Sequence, residues 1–222
     1  MSKLASKAAA RRRALLPKSA AAPRRVARTE ILEAALKLFA RDGFDGASLT
    51  EIAAEAGVGH PLIHYHFGTK EALWKAAMDF AFTGAVEELE QIAVASRDLE
   101  PVDTIRIMWR AGMRSVAEHP ERMAMVFGEA RAGSKRFAWV SDRYLARIYA
   151  LLDDAIEGAV RKGQIKPIAA AHLTSLLAGA SFAFFATAPV VGRFYKLDTR
   201  RPDNVEAYID SVVEVVMNGM RR

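Results

Sequence analysis

A short helix with a clearly marked beginning and end is the feature that most constrains how this chain can fold. Ser48 and Glu51 have the spacing of a capping box, in which the Ser48 hydroxyl accepts a hydrogen bond from the Glu51 amide and the Glu51 carboxylate accepts one from the Ser48 amide. The helix is expected to begin at Leu49 and to run only to Ala56, because Gly57 ends it. A helix this short is not stable alone, so it must pack on neighbouring segments.

A second short helix is expected directly after the first. It should start near His60, where Pro61 in the first turn loses no intrahelical hydrogen bond, and Thr69 should cap the helix that follows. Two short helices joined by a three-residue turn are typical of a helix-turn-helix, whose second helix enters the major groove of DNA. Their shared core is predicted to contain Ile52, Ala53, Ala56, Val58 and Ile63, packed on Ile31, Leu36, Leu38 and Phe39 of the preceding helix.

The other apolar residues recur at helical rather than strand spacing. The helix before the capping box should end at Gly43, and one long helix should span residues 70–96. Pro101, Pro120 and Pro167 mark further helix starts. Because no alternating run with hairpin turns occurs, the sequence predicts an all-α fold of about nine helices.

Positive charge is concentrated at the N-terminus. The chain has a formal net charge of +6, yet residues 1–28 alone hold nine lysines and arginines and no acid. Residues 1–23 show no sustained periodicity and are expected to form an unfolded basic arm. Such an arm points to a polyanionic partner, nucleic acid or a charged membrane surface. An organellar transit peptide has a similar composition and is the alternative interpretation.

Composition and motifs argue against several other classes of protein. The sequence has no cysteine, which excludes disulfides and thiolate zinc sites and suits a cytoplasmic protein. It contains no P-loop, no Gly-x-Ser-x-Gly elbow and no dinucleotide fingerprint, so we expect neither an enzyme nor a cofactor. The stretch 167–192 lacks charge but is weakly apolar and rich in small residues, which favours a helix in a subunit interface over a membrane span.

At this point a family resemblance is apparent. It is carried by Thr29-Glu30-Ile31-Leu32, Leu38-Phe39, Gly43-Phe44, Ser48-Leu49-Thr50-Glu51-Ile52-Ala53, Ala56-Gly57-Val58 and His64-Tyr65-His66-Phe67-Gly68-Thr69-Lys70-Glu71-Ala72-Leu73. Together these resemble the N-terminal domain of the tetracycline-repressor (TetR) family. The resemblance implies a homodimeric transcription regulator, usually a repressor, that leaves a double-stranded DNA operator when a small-molecule effector binds its C-terminal domain. An architectural DNA-binding protein without an effector is the alternative.

The resemblance divides the chain into three parts. Residues 1–23 would be the disordered basic arm, residues 24–73 the helix-turn-helix domain, and residues 74–222 a helical effector-binding and dimerisation domain. The segments 168–188 and 203–220 are the expected homodimer contacts. A twofold dimer of this kind implies a near-palindromic operator.

The residues expected to contact DNA lie on the two short helices and just after them. They are Ser48, Thr50, Gly59, His60, Pro61, Leu62, His64, Tyr65 and Lys70. His60 and His64 share one helix face and can donate to guanine or phosphate, while Pro61 and Leu62 can meet a thymine methyl group. The resemblance assigns phosphate contacts to Tyr65 and Lys70, and their chemistry agrees.

Two features of this unit need separate explanations. The clustered histidines could hold zinc, but the helix lacks a metalloprotease glutamate and no third ligand is apparent, so we expect no metal site. For His66 we expect a packing role. Residues 29–70 contain three lysines and arginines against six acids, so nonspecific attraction to DNA should come from the arm, through Arg11-Arg12-Arg13 or Arg24-Arg25.

The C-terminal part is rich in large, deformable apolar residues that could line an effector pocket. The candidates are Met108, Trp109, Met113, Met123, Phe127, Trp139, Tyr144 and Phe184, with Arg110, His119, Glu129 or His172 as polar anchors. Ordinary core packing is the competing explanation for each apolar residue. Arg106, Arg110 and Arg114 repeat every four residues and form either a solvated face or an anchor for an acidic effector.

Overall fold

The computed structural model describes residues 21–221, so residues 1–20 of the predicted arm lie outside the described residues. Helix α1 (Ala21–Gly46) already includes residues 21–23, which were expected to belong to the arm. Its backbone leaves helical geometry at Gly43, where φ is 72° and ψ is 175°. This is the predicted end of the helix, and the positive φ favours glycine there.

Both short helices form as predicted. They are α2 (Leu49–Glu55) and α3 (His60–Phe67), and Pro61 stands in the first turn of α3. The capping box is present: the Glu51 amide donates to the Ser48 hydroxyl at 3.1 Å, and the Ser48 amide donates to the Glu51 carboxylate at 3.3 Å. Ile52, Ala53 and Ile63 are buried in one cluster with residues of α1, as the predicted core requires.

The helices that follow begin at the predicted caps, with one exception. Helix α4 (Lys70–Ala95) is capped by the Thr69 hydroxyl, and α5 (Pro101–Glu118) and α6 (Pro120–Ala132) each begin at a proline. The chain continues with α7 (Lys135–Val140), a π-helical segment (Ser141–Leu145), α8 (Ala146–Arg161), α9 (Ala170–Phe185), α10 (Ala188–Tyr195) and α11 (Pro202–Met220).

Pro167 does not start a helix, which corrects the prediction. Ile165 forms an isolated antiparallel bridge with Arg221, and the Lys166 amide donates to the Met220 carbonyl at 2.8 Å. These bonds hold the segment before α9 extended against the end of α11, so α9 begins only at Ala170. The bridge is isolated, and the described residues contain no strand; the all-α fold class is confirmed.

Two apolar clusters organise the molecule. The first joins α1–α4 to residues of α6, α7 and the π-helical segment, among them Met125, Val126 and Tyr144. The second lies between α5, α8, α9 and α11 and includes Met108, Trp109, Ile156, Leu177 and Ile209. Helix α1 packs on both α4 and α6. The helix-turn-helix therefore shares one continuous core with helices of the C-terminal part.

The arginines of α5 are partly exposed, as a solvated face requires, and two of them also form ion pairs with another helix. Arg110 donates to Asp210 at 2.5 Å, and Arg114 forms two bonds to Glu206 at 2.6 and 2.7 Å. Arg106 instead pairs with Asp103, on its own helix. Arg110 and Arg114 thus connect α5 to α11. Because their charges are already paired with carboxylates of α11, we do not assign them the role of effector anchor.

The charge-free region near α9 is divided between two helices, α9 and α10. Within the described residues, no single helix is long and apolar enough to cross a membrane. The pair Ala170–Phe185 and Ala188–Tyr195 passes the same criteria only when taken together, and the two helices are bent by 64°.

Candidate DNA-binding surface and ligand cavity

One side of the helix-turn-helix faces solvent and carries most of the residues predicted to contact DNA. On α3, Pro61, His64 and Tyr65 are exposed, with 62% of Tyr65 accessible. Thr50 on α2 and Gly59 before α3 are also exposed. The opposite sides of these two helices are buried in the first apolar cluster. The packing against this cluster fixes the position of the exposed surface.

Three predicted contact residues have additional or different partners. Leu62 is half-buried and packs against the first cluster, which leaves only part of it for a thymine methyl group. His60 is half-buried and meets the His64 ring edge-on, with 4.8 Å between the ring centroids. The Ser48 hydroxyl donates to the Glu51 carboxylate at 2.7 Å while it accepts the Glu51 amide, so Ser48 acts in the capping box.

The His64 ring is oriented by the end of its own helix. Its Nδ1 lies 2.9 Å from the Gly68 carbonyl oxygen, and since a carbonyl only accepts, Nδ1 carries the proton and donates. In the neutral ring Nε2 is then an acceptor, suited to an exocyclic amine of adenine or cytosine. The predicted donation to guanine or phosphate requires the protonated ring.

Lys70 links the predicted DNA surface to the C-terminal part. Its ammonium group donates to the Asp45 carbonyl at 3.2 Å and lies 4.9 Å from the centre of the Phe44 ring. The Arg136 guanidinium lies 3.7 Å from the centre of the same ring. Phe44 therefore contacts two cations, one at the start of α4 and one on α7.

Within the described part of the chain, no group of three histidine, aspartate or glutamate side chains is placed to hold a metal ion. His66 is half-buried, and its Nε2 atom is buried with no hydrogen-bond partner in the described residues. Its ring lies against Tyr65 and Phe67. These contacts agree with a packing role.

A cavity of about 280 Å³ lies between α4, α5, α6, α8 and α9. Five of the predicted pocket residues line it: Met108, Trp109, Met113, Met123 and Phe127. Residues that the sequence did not single out complete the wall, among them Phe82 on α4, Tyr149 and Leu152 on α8, and Leu177 on α9. The wall is almost wholly apolar, as small-molecule sites commonly are.

Three predicted pocket residues lie outside the wall, which corrects the prediction. Trp139 packs against Trp74, and Tyr144 stacks on Phe82 and donates its hydroxyl to Asp79. Phe184 stacks on Tyr208 of α11, with 3.7 Å between the ring centroids and 4° between the planes. All three belong to contacts between helices, which an amphipathic pattern cannot distinguish from a pocket wall.

The proposed polar anchors are absent from the wall, and a different one is present. Arg110, His119, Glu129 and His172 do not line the cavity. Arg122 on α6 does, with only 3% of its surface exposed. The sequence could have indicated that Arg122 is buried, since it lies three and four residues before Met125 and Val126 and therefore on the apolar face of α6.

Comparisons with known proteins agree with this architecture. Residues 31–77 match the family model described as bacterial regulatory proteins, tetR family. Residues 101–216 match the model described as tetracyclin repressor-like, C-terminal domain. The first match covers the helix-turn-helix, and the second covers most of the helices that surround the cavity.

Individual relatives and one solved structure are similar to the chain over most of its length. The HTH-type transcriptional regulator RutR of Escherichia coli is 26% identical over 86% of this chain and 89% of its own. The HTH-type transcriptional regulatory protein RaaS of Mycobacterium tuberculosis is 29% identical over 72% of this chain and 71% of its own. The structure of a putative fatty acid metabolism regulator of Clostridium perfringens shares the fold, with a TM-score of 0.69 and 21% identity over 87% of this chain and 99% of its own.

The second family model alone spans more than half of the chain, and the first falls on the capped helix-turn-helix with its exposed α3 surface. The chain belongs to the TetR family and is a DNA-binding transcriptional regulator.

Proposed function

We propose that this protein is a homodimeric repressor of a near-palindromic operator, released from DNA when a small molecule occupies the cavity. The observation that carries the proposal is the position of α6. Helix α6 supplies Arg122, Met123 and Phe127 to the cavity wall, and it packs on α1 of the helix-turn-helix. A ligand that displaces α6 would therefore act directly on the DNA-binding unit.

The exposed surface of α2 and α3 is the proposed reading surface. Thr50, Pro61, His64 and Tyr65 would meet base edges or phosphates, and Lys70 would meet a phosphate after the turn. Arg28 on α1 lies 5.4 Å from the ring of Phe67 at the end of α3, so the basic N-terminal region leads into this surface. This position supports a role for the arm on the adjacent DNA.

Helices α9 and α11 are the proposed dimer contact. They adjoin at Tyr208, whose hydroxyl donates to the Ala180 carbonyl at 2.8 Å. Their uncovered faces carry small and apolar residues at helical spacing: Ser175, Leu176, Gly179 and Ala183 on α9, and Ala207, Ser211 and Val215 on α11. Leu176 is 52% exposed and Val215 is 71% exposed, which favours burial against a second copy.

The same assignment gives the domain organisation we propose. A helix-turn-helix domain ends near residue 73, and α4 continues without a break into the effector-binding and dimerisation domain. Effector binding can regulate DNA affinity only if it favours one spacing of the two recognition helices over another. The continuous α4 and the packing of α1 on α6 supply a route for that change.

The proposal is tested by selecting DNA fragments from the source genome on the purified full-length protein. A regulator of this kind should enrich few fragments, each with an inverted repeat, and bind them far more tightly than random DNA of equal length. Enrichment of fragments from everywhere in the genome would instead support the alternative of an architectural protein. That result would overturn the proposed function.

A further inference from the structure

A single positive charge lies in an otherwise apolar cavity wall. Among the lining residues in the described part of the chain, Arg122 is the only one with a charged side chain; no aspartate, glutamate, lysine or histidine contributes. The other polar side-chain groups there are the hydroxyls of Ser115, Tyr149, Thr174 and Ser181 and the indole N–H of Trp109. A cavity with one cation and no anion favours a ligand that carries one negative charge.

The partners of Arg122 are all neutral. Its Nη1 donates to the Ala81 carbonyl at 2.7 Å, and its Nη2 donates to the carbonyl and hydroxyl oxygens of Ser115, the latter at 2.9 Å. It forms no ion pair with the described residues, although the charge of Glu118 acts on it from a distance. The carbonyl of Ser115 lies near the C-terminal end of α5, where the helix dipole is negative and tolerates a cation.

The guanidinium nevertheless remains charged, and the described residues give it the Phe82 ring, 5.0 Å away, and hydrogen bonds for only some of its donors. Burial lowers the pKa of Arg122 to about 10, so the group keeps its proton at neutral pH. A guanidinium has five N–H donors, and three hydrogen bonds to described residues account for three of them at most. A buried charge without an opposite charge is costly, and a carboxylate accepts two parallel bonds from such a group.

A second wall residue also has an unused donor. The indole N–H of Trp109 is buried and has no acceptor in the described residues. Trp109 is 2% exposed and lies on α5, the helix that also holds Ser115. The unmet polar groups of the two wall residues Arg122 and Trp109 are therefore donors, which a ligand with acceptors only would match.

We propose that the cavity binds an organic monocarboxylate with an apolar body, its carboxylate paired with Arg122 and its body against Met108, Met123 and Phe127. This inference rests on the proposed function, in which the cavity is the effector site, and it names the chemical class of the effector. The Arg122 contact also connects the ligand to three helices at once, because its present partners lie on α4 and α5 while it stands on α6.

The test compares three probes with the same alkyl chain and different head groups: octanoate, octan-1-ol and octylamine. Binding of each to the full-length protein is measured by titration calorimetry at neutral pH, with tryptophan fluorescence as a second readout. We expect octanoate to bind at least about tenfold more tightly than octan-1-ol, because a charge-assisted hydrogen bond contributes that much or more. Octylamine should bind more weakly than octan-1-ol, since its cation would face Arg122.

Two variants of Arg122 and one control variant test whether Arg122 binds the carboxylate. Arg122→Met should lower octanoate affinity to the level of octan-1-ol, and Arg122→Lys should weaken octanoate without changing octan-1-ol. Arg114→Met, on a helix that also borders the cavity but outside its wall, should retain the full preference for octanoate. If Arg122→Met does not fold, the lysine variant alone still decides, since a preference unchanged in it contradicts a bidentate contact.

Several results would overturn the inference: equal affinity of the wild type for octanoate and octan-1-ol, no binding of any probe, or an octanoate preference that survives in Arg122→Met. Operator binding is measured on the same samples without probe. A protein that binds its operator but does not prefer octanoate refutes the carboxylate site and leaves the regulator intact. A protein that binds octanoate at Arg122 but never leaves its operator refutes the effector role instead.

Discussion

At the scale of single residues, two hydroxyl side chains at the start of α2 have different roles. Ser48 accepts the Glu51 amide in the capping box, while Thr50 is exposed on the surface proposed to meet DNA. Both were predicted to contact DNA, although the spacing of Ser48 and Glu51 had also predicted the capping box that uses the Ser48 hydroxyl. In the structure, Ser48 stabilises the start of α2, whereas the Thr50 side chain is exposed to solvent.

This difference gives a paired prediction. Ser48→Ala should lower the free energy of unfolding by about 1 kcal/mol, because an N-cap hydroxyl is lost. Thr50→Ala should leave the free energy of unfolding nearly unchanged and weaken operator binding. Urea unfolding and operator titration of both variants check this, and an equal loss of stability in the two would contradict the division of roles.

A second prediction at this scale concerns Lys70. Lys70→Ala should weaken binding to operator and to unrelated DNA by the same factor, because a phosphate contact carries no sequence information, and the slope of log K against log salt should fall by about one. Lys75→Ala is the matched control, since Lys75 pairs with Glu71 on the same helix. A change in the ratio of operator to unrelated binding would show that Lys70 contributes to base recognition instead.

At the scale of elements, ion pairs between α5 and α11 hold the C-terminal part together. The hydrogen bond from Arg114 lowers the pKa of Glu206, and the same bond raises the pKa of Arg114. A carboxyl group with a lowered pKa stabilises the fold above its ordinary value of 4.5 and loses that contribution as the pH falls through the lowered pKa. The effect is modest because Glu206 is partly accessible to solvent.

The corresponding prediction is a difference in acid sensitivity. Below about pH 4.5 the wild type should lose stability more steeply than Glu206→Gln, which has no carboxylate to protonate, whereas the variant should be slightly less stable at neutral pH. Thermal unfolding across the acid range measures this, with Glu157→Gln, in an exposed pair within α8, as the control. Parallel pH profiles for wild type and Glu206→Gln would show that the α5–α11 pairs contribute nothing measurable.

The elements also show where sequence-based reasoning succeeds and where it fails. Caps are local, so the starts of helices at Ser48, Thr69 and Pro101 could be predicted from a few adjacent residues. The helix start predicted at Pro167 was wrong, because hydrogen bonds to the end of α11, far away in the sequence, hold the chain before α9. The cavity wall was only partly predictable for the same reason: Phe184 satisfies the apolar pattern equally well by stacking on α11.

At the scale of the whole molecule, the proposed regulator requires two copies that pair through α9 and α11. Leu176→Glu should convert the dimer to a monomer, because it places a charge in the centre of the proposed contact, and it should greatly weaken operator binding. Leu99→Glu is the matched control: Leu99 is exposed to a similar degree but lies between α4 and α5. Sedimentation equilibrium gives the result directly, and a Leu176→Glu variant with unchanged mass would place the dimer contact elsewhere.

Hydroxyl-radical footprinting of a selected genomic fragment shows how many recognition helices contact the duplex and how far apart they lie. A twofold dimer should protect two patches on one face of the DNA, related by twofold symmetry and separated by one helical turn or slightly more, roughly 34–36 Å. Both patches should disappear when His64 and Tyr65 are replaced by alanine. A single patch, or continuous protection without a preferred site, would contradict binding as a twofold dimer.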